Sequence, residues 1–179
     1  RCDELRLRMQ QDNDLFGNNL RIQEWETQDL IAKLGEPRRK WEWGLSPQVV
    51  NAYYSASANE IVFPAAILQP PFFDPHAAPA VNFAAIGAVI GHEMGHGFDD
   101  QGSRSDGSGM LRDWWTKDSR EHFDAQAAVL VDQFNAYEPI AGTRIKGELT
   151  LGENIGDLGG MTIAYNAYQK FLRDSHNGE

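Results

Sequence analysis

The sequence predicts an α+β fold, mostly helical with one short antiparallel hairpin, and three observations carry that expectation. Apolar residues recur at three-to-four spacing in several charged or small-residue stretches, as amphipathic helices require. Two β-favouring clusters, Tyr53-Tyr54 and Ile61-Val62-Phe63, flank a small polar loop, Ser55 to Asn59, which reads as a hairpin. Gly- and Pro-rich punctuation separates these elements. The 179 residues suit one core, and 41% hydrophobic residues argue for a globular chain.

In chain order, residues 1–33 read as two amphipathic helices, with Leu5, Leu7 and Met9 on the first and Leu20, Trp25, Leu30 and Ile31 on the second. Gly35 to Lys40 is a connector, because Gly and Pro break helices and three adjacent cations repel one another. The division expected is a helical lead-in over 1–40 and a core over 41–179. After the hairpin, which Pro64 ends, Gln69 to Pro75 is expected to be extended, since consecutive prolines remove donors and bar the preceding residues from helix. Asn82 is an expected N-cap for a helix from Phe83 to Phe98, apolar or small nearly all round and therefore buried. Gly102 to Gly109 is a loop. Trp114 to Tyr137 reads as a long helix with Phe123, Ala127, Leu130, Val131 and Phe134 as its buried stripe, stopped by Pro139. A last helix is expected from about Thr150 to Arg173, weakened by Gly156, Gly159 and Gly160 at about 1 kcal/mol each.

Charge and cysteine usage narrow the function. The net charge is −10, and residues 1–40 balance eight basic against eight acidic side chains, so the excess lies in residues 41–179. That distribution repels nucleic acid and suits carboxylates gathered round a cation. The single Cys2 excludes an internal disulfide framework and a zinc-finger cysteine set, so any metal must use histidines and carboxylates. No apolar run is long enough for a transmembrane helix, and no membrane contact is expected from this segment. With Arg1 first and no leader, the chain is expected to be a mature form or a piece of a longer one.

The expected buried helix contains His92-Glu93-Met94-Gly95-His96, an HExxH pattern. Four residues turn a helix by about 400°, so both imidazoles project from one face within reach of a single ion. Glu93 stands about 100° round from His92, near the metal without binding it, as a general base for a metal-activated water must be. Zinc fits imidazole and carboxylate in an open tetrahedral site, although such donors also admit other transition metals. With this chain's composition the pattern arises by chance about once in a hundred such sequences. The plainer alternative, two core histidines satisfied by carbonyls, needs separate partners for three polar groups on an otherwise apolar helix. Glu153, in Gly152-Glu153-Asn154-Ile155-Gly156-Asp157, is the best third ligand. Asp157, on the same helix face, and Asp99, three residues past His96, are placed to accept the free ring N–H of the two histidines. Glu153 reads equally as a first-turn carboxylate facing a helix dipole.

Five strings together extend the reading: Val50-Asn51-Ala52-Tyr53-Tyr54, Ile61 to Ala65, Ile67 to Phe73, Gly91 to Asp100, and Gly152 to Asp157, with Asp113-Trp114-Trp115-Thr116 as a sixth segment. In order and spacing they resemble the neprilysin and endothelin-converting-enzyme family of zinc endopeptidases, over about Trp43 to Phe171. The resemblance implies a thermolysin-like zincin core, with one zinc held by His92, His96 and Glu153, Glu93 as base, and Asp99 and Asp157 orienting the histidines. It further implies that Asn51 and Ala52, on a strand, hold an extended peptide, and that Ile67, Phe72 and Val89 line an apolar pocket for the residue after the scissile bond. For those three, plain core is the competing reading. Gly95 and Gly156 depart from residues usual in the family and are expected mainly to lower helix stability.

The function this implies is zinc-dependent hydrolysis of short peptides, in an extracytoplasmic setting, periplasmic or secreted and often membrane-tethered. The family's later segment, with a histidine for the oxyanion and an arginine for substrate, does not occur before Glu179, and neither His122 nor His176 sits in such a motif. The expected identity is therefore a central part of a catalytic domain, weakly active at best on its own. A zinc-binding module without catalysis and a purely structural helical domain are the other classes.

Overall fold

A computed structural model describes residues 14–176. The chain divides between Glu42 and Trp43 into two compact units. The first carries helix α1, Leu15–Ala32, whose N-cap Asp14 accepts from the Gly17 amide at 2.9 Å and pairs with Arg21 at 2.9 Å. Lys33, just past α1, and Arg39, in the connector, both reach Asp29 and Glu42, so these two cations are paired with carboxylates on either side of the connector. Trp25 is buried, but Leu20, Leu30 and Ile31 are exposed, contrary to the expected stripe. The apolar spacing is present, but among the described residues of this unit nothing covers those three side chains. The expected first helix lies largely on residues outside those described.

The second unit begins with the hairpin. Strand β1, Tyr53–Ser55, runs antiparallel to β2, Glu60–Val62, with Tyr53 opposite Val62 and Tyr54 opposite Ile61. Asn59 turns the chain at φ 48°, a left-handed conformation asparagine tolerates. Asn51 and Ala52 precede β1 rather than standing on it. Ala65–Ile67 forms a single 3₁₀ turn. Residues 69–75 are not extended as expected. Two amides, those of Phe72 and Phe73, donate to the Gln69 carbonyl and close turns over Pro70 and Pro71, whose peptide bond is cis.

The expected helix from Phe83 to Phe98 is two helices. Helix α2, Pro79–Ala84, starts with proline at its first turn, where the missing N–H is not needed. Ala85, at φ −93° and ψ −93°, breaks the run, and α3 is Ile86–Gly95. Asn82 therefore lies inside α2 and caps nothing. Its side chain clamps Asp74 instead, accepting from the Asp74 amide at 3.0 Å and donating to the Asp74 carbonyl at 2.7 Å. Nor is α3 buried all round. Ile86, Gly91 and Glu93 are buried while Ile90 and Met94 are exposed, because its neighbours cover only part of its circumference, and Phe98, past its end, is exposed too.

Helix α4 is Lys117–Asn135, later to start and earlier to end than its apolar pattern suggests, since the Thr116 hydroxyl accepts from the Ser119 amide and sets the N-cap. The five stripe residues are all half-buried. Helix α5, Leu151–His176, lies antiparallel along α3, and this helix pair is the spine of the unit. Ala52, Ile67 and Ile86 form the core cluster, with Phe63, Phe72, Phe73 and Val89 packed against it. No helix among the described residues is long and apolar enough to cross a membrane.

Candidate active site

Glycines bring the two halves of the site together. Gly87, Gly91 and Gly95 recur every fourth residue on α3, and Gly152, Gly156 and Gly160 do so on α5, so each set lies on one helix face. In the antiparallel pair Gly91 meets Gly160 and Gly95 meets Gly156. A Cβ on Gly91 would stand 2.8 Å from the Gly160 Cα and carbonyl oxygen, and one on Gly160 would stand 2.5 Å from the Ala88 carbonyl oxygen and 2.7 Å from the His92 amide nitrogen. The helices thus touch through their backbones. This corrects the expectation that Gly156 and Gly160 only weaken α5 and that Gly95 only weakens α3. Close approach is what they supply, whereas Gly159 faces open space.

At that separation side chains from one helix reach the other. His92 Nε2 lies 3.3 Å and His96 Nε2 3.9 Å from Glu153 Oε2. The two rings are perpendicular with centroids 4.6 Å apart. His92, His96 and Glu153 each present a ligand atom within 4.8 Å of the others, the only such group of three or more among the described residues. Their remaining ring nitrogens are both engaged. His92 Nδ1 lies 2.9 Å from Asp157 Oδ1 and His96 Nδ1 lies 2.8 Å from Asp99 Oδ2. An ionised carboxylate only accepts, so each pair holds the proton on Nδ1 and leaves the Nε2 lone pair facing Glu153.

The electrostatics follow from burial and partners. The hydrogen bond to Asp99 lifts His96 above the ordinary imidazole range. Burial works against ionisation of Asp99, but His96 and the amides of Gly102 and Gln101, at 2.6 and 2.8 Å, hold its carboxyl below the usual value. Glu93 is 5% exposed, and that burial pushes its carboxyl up against the opposing pull of the two histidines and a hydrogen bond from the Tyr54 backbone in β1. Its Oε2 is buried without a hydrogen-bond partner. That bare carboxylate oxygen belongs to a residue lining the same cleft as His92, His96 and Glu153, and it has the capacity to accept a proton.

Two clefts meet at these residues. One, of about 540 Å³, is lined by Asn51, Ala52, Tyr54, His92, Glu93 and Glu153 among others. The second, of about 530 Å³, is walled by Val50, Ile67, Phe72, Val89 and Met161 and also reaches His92 and Glu93. Ile67, Phe72 and Val89 are therefore both core and cleft wall. The Ala52 amide donates to Asn51 Oδ1 at 2.9 Å, fixing the asparagine side chain at the cleft. Sequence reasoning missed Val50 and Met161 as wall residues and the glycine faces as the means of approach. The fourfold glycine spacing was the readable signal for the latter, while Met161, nine residues past Gly152, carried none.

The donor set suits zinc: two imidazole nitrogens and one carboxylate, with donors about 2 Å from a shared tetrahedral centre standing about 3.3 Å apart. The His92 to Glu153 distance matches that spacing and the His96 to Glu153 distance is wider.

The chain is similar to known proteins in sequence and in structure. Over 156 residues the chain is 49% identical to Neprilysin-11 of Caenorhabditis elegans, covering 87% of the chain and 18% of that protein. Over 158 residues it is 44% identical to endothelin-converting enzyme 1 of Bos taurus, covering 88% and 21%. The chain thus spans about a fifth of the length of the curated relatives it matches. Among solved structures, zinc metalloprotease ZMP1 of Mycobacterium tuberculosis, in complex with an inhibitor, matches at a TM-score of 0.84 and 53% identity, covering 90% of this chain and 25% of that one. PepO from Lactobacillus rhamnosis matches at a TM-score of 0.78 and 33% identity, covering 90% and 26%. Residues 51–179 match the family described as peptidase family M13, and the chain belongs to that family.

Proposed function

We propose that the chain carries the metal centre of a zinc metallopeptidase that hydrolyses peptide bonds in short peptides. The observation that carries this reading is the convergence of His92 Nε2, His96 Nε2 and Glu153 Oε2 beside a buried, unpartnered Glu93 Oε2. His92, His96 and Glu153 hold the zinc. When bound, it supplies a Lewis acid that polarises the scissile carbonyl and makes water nucleophilic near neutral pH.

The chain's own residues do the rest. Asp157 and Asp99 orient the two rings and fix their tautomers. Glu93 Oε2 accepts the proton of the attacking water and returns it to the leaving amine nitrogen; its burial raises its basicity for that exchange. Asn51 and Ala52 face the same cleft, where the Asn51 amide group and the Ala52 carbonyl hold an extended peptide by backbone hydrogen bonds. The apolar cleft of Ile67, Phe72 and Val89 takes the side chain that follows the scissile bond. An extracytoplasmic setting accompanies this reading on the strength of the family resemblance.

Two measurements test it. Purified chain should contain about one zinc, lost together with several degrees of melting temperature on chelation. Glu93→Gln should keep the zinc and lower peptide turnover by about 10²–10⁴, in this chain or in a longer protein that carries it. Turnover retained by the variant would sink the role of Glu93, and wild-type chain that takes up no zinc would sink the metal reading.

A further inference from the structure

His96 is aimed by Asp99, and Asp99 is held by the turn that follows it. Its Oδ1 accepts from the Gln101 and Gly102 amides, and its carbonyl accepts from the Ser103 amide at 3.0 Å. Ser103 has no exposed surface at all. Its hydroxyl accepts from both terminal nitrogens of Arg120 at 3.3 Å, and one of them also reaches the Ser103 carbonyl at 3.5 Å. Arg120 belongs to the first turns of α4, an element that supplies no metal donor. Its guanidinium lies 4.8 Å from the Trp115 ring centroid and 5.4 Å from that of Phe123, stacking contacts that restrict where its fork points. Its acidic neighbour on the same helix, Asp124, stands 4.0 Å away, too far for a hydrogen bond. The directional bonds of the guanidinium therefore go to Ser103.

We propose that Arg120 is a positioning residue for the metal site, acting through Ser103 on the Asp99 turn and so on His96. This rests on the reading of His92, His96 and Glu153 as a zinc site. One path connects the residues: aromatic rings restrict the guanidinium, the guanidinium fixes Ser103, the Ser103 amide tethers the turn, and the turn aims the Asp99 carboxylate. A lysine cannot replace the fork, because its point charge neither stacks as a plane nor offers two donors in fixed geometry.

The test uses the whole chain with Arg120→Met, which keeps an apolar stem against Trp115 and Phe123, together with Arg120→Lys, Ser103→Ala and the Arg120→Met, Ser103→Ala double variant. Zinc affinity is measured by competition with a chromophoric chelator, and the imidazole Nδ1–H signals are followed by NMR in zinc-free chain. Losing a group that directly orients a ligand typically weakens metal binding 10- to 100-fold, so a residue one step further out should weaken it about threefold to tenfold. Lysine should restore only part of that loss. The double variant should bind no worse than the weaker single variant, since both substitutions cut the same path. The His96 Nδ1–H signal should shift or broaden while that of His92 stays in place.

Unchanged affinity with an unchanged His96 signal would overturn the proposal. So would equal disturbance of His92, which marks general loosening, or losses that add in the double variant. If Arg120→Met does not fold, Ser103→Ala carries the same expectations. Wild-type chain that binds no zinc overturns the metal reading instead, and the His96 signal still decides whether Arg120 aims the ring.

Discussion

Helices α3 and α4 both pack against α5 or the loops beside it, yet they meet their neighbours in opposite ways. Helix α3 meets α5 through Gly91, Gly95, Gly156 and Gly160, backbone against backbone. Helix α4 faces the rest of its unit with Phe123, Ala127, Leu130, Val131 and Phe134, all half-buried. Large side chains hold helix axes 8–10 Å apart, and polar groups on the two helices then have little chance to converge. Where the contact residues are glycines, side chains leaving either helix one turn from the crossing arrive at a common point. That is how Asp157 and Glu153 of α5 come within hydrogen-bonding reach of His92 of α3. The molecule gives up helix propensity at the place where chemistry needs proximity and keeps bulk along the α4 stripe.

The sharpest way to break this comparison is to add one methyl group at each of two neighbouring glycines. Gly160→Ala would press its Cβ against backbone atoms of Ala88 and His92, which cannot rotate away. The expected loss is about 1–3 kcal/mol of stability, with weakened zinc binding as α5 is forced outward. Gly159→Ala meets nothing within 4 Å and should instead gain about 1 kcal/mol through helix propensity, with zinc affinity unchanged. Thermal melting and zinc titration of the pair decide the matter. If the two variants behave alike, close backbone approach is not what these glycines provide.

These two glycines also show how far the sequence could be read. His92, Glu93 and His96 are legible because helical spacing alone puts them on one side of a turn, and the second acidic string is legible because it repeats the same arithmetic. The hairpin is legible because tyrosines and β-branched residues flank a loop of small polar ones. Gly159 acts as its propensity says, but Gly160 does not, since propensity scores a residue within its own helix and says nothing of a partner, Gly91, 69 residues away. The break at Ala85 was hidden for a similar reason. No residue there opposes a helix, and the kink is fixed from outside, where the Ile86 amide donates to the Phe72 carbonyl at 2.9 Å. Asn82 had the composition of a cap but was claimed by Asp74, eight residues earlier.

The next test bears on the α4 side. Leu130 lies ten residues beyond Arg120 on α4, about 15 Å along the axis. Leu130→Ala removes a half-buried side chain and should lower stability by about 1–2 kcal/mol, read from the denaturant midpoint. Zinc affinity should change by less than about twofold, since the site depends on α4 at Arg120 and not on the packing of its stripe as a whole. A parallel loss of zinc binding would mean that any loosening of α4 reaches the site, which would erase the contrast between the two helices.

The smallest effect expected concerns the loop between α3 and α4, where a carboxylate ties the chain together. Asp106 accepts from the Ser108 hydroxyl at 2.6 Å, the Ser108 amide at 2.8 Å and the Met110 amide at 3.1 Å, and it pairs with Arg112. The Ser108 hydroxyl first, then the Met110 amide, lower its pKa from 3.8 to about 2. A carboxyl whose pKa is depressed on folding stabilises the native chain while it is ionised. Its contribution is therefore complete above pH 3.8 and fades as the pH falls toward 2. Asp106→Asn keeps one acceptor oxygen but loses the charge, so wild type and variant should differ in melting temperature at pH 5 and converge near pH 2. The gap should be modest because the Arg112 side chain is largely exposed and its attraction is screened by solvent. A gap that stays constant across this range would assign the role of Asp106 to loop geometry alone, and zinc affinity, measured on the same samples at neutral pH, should not distinguish the two proteins.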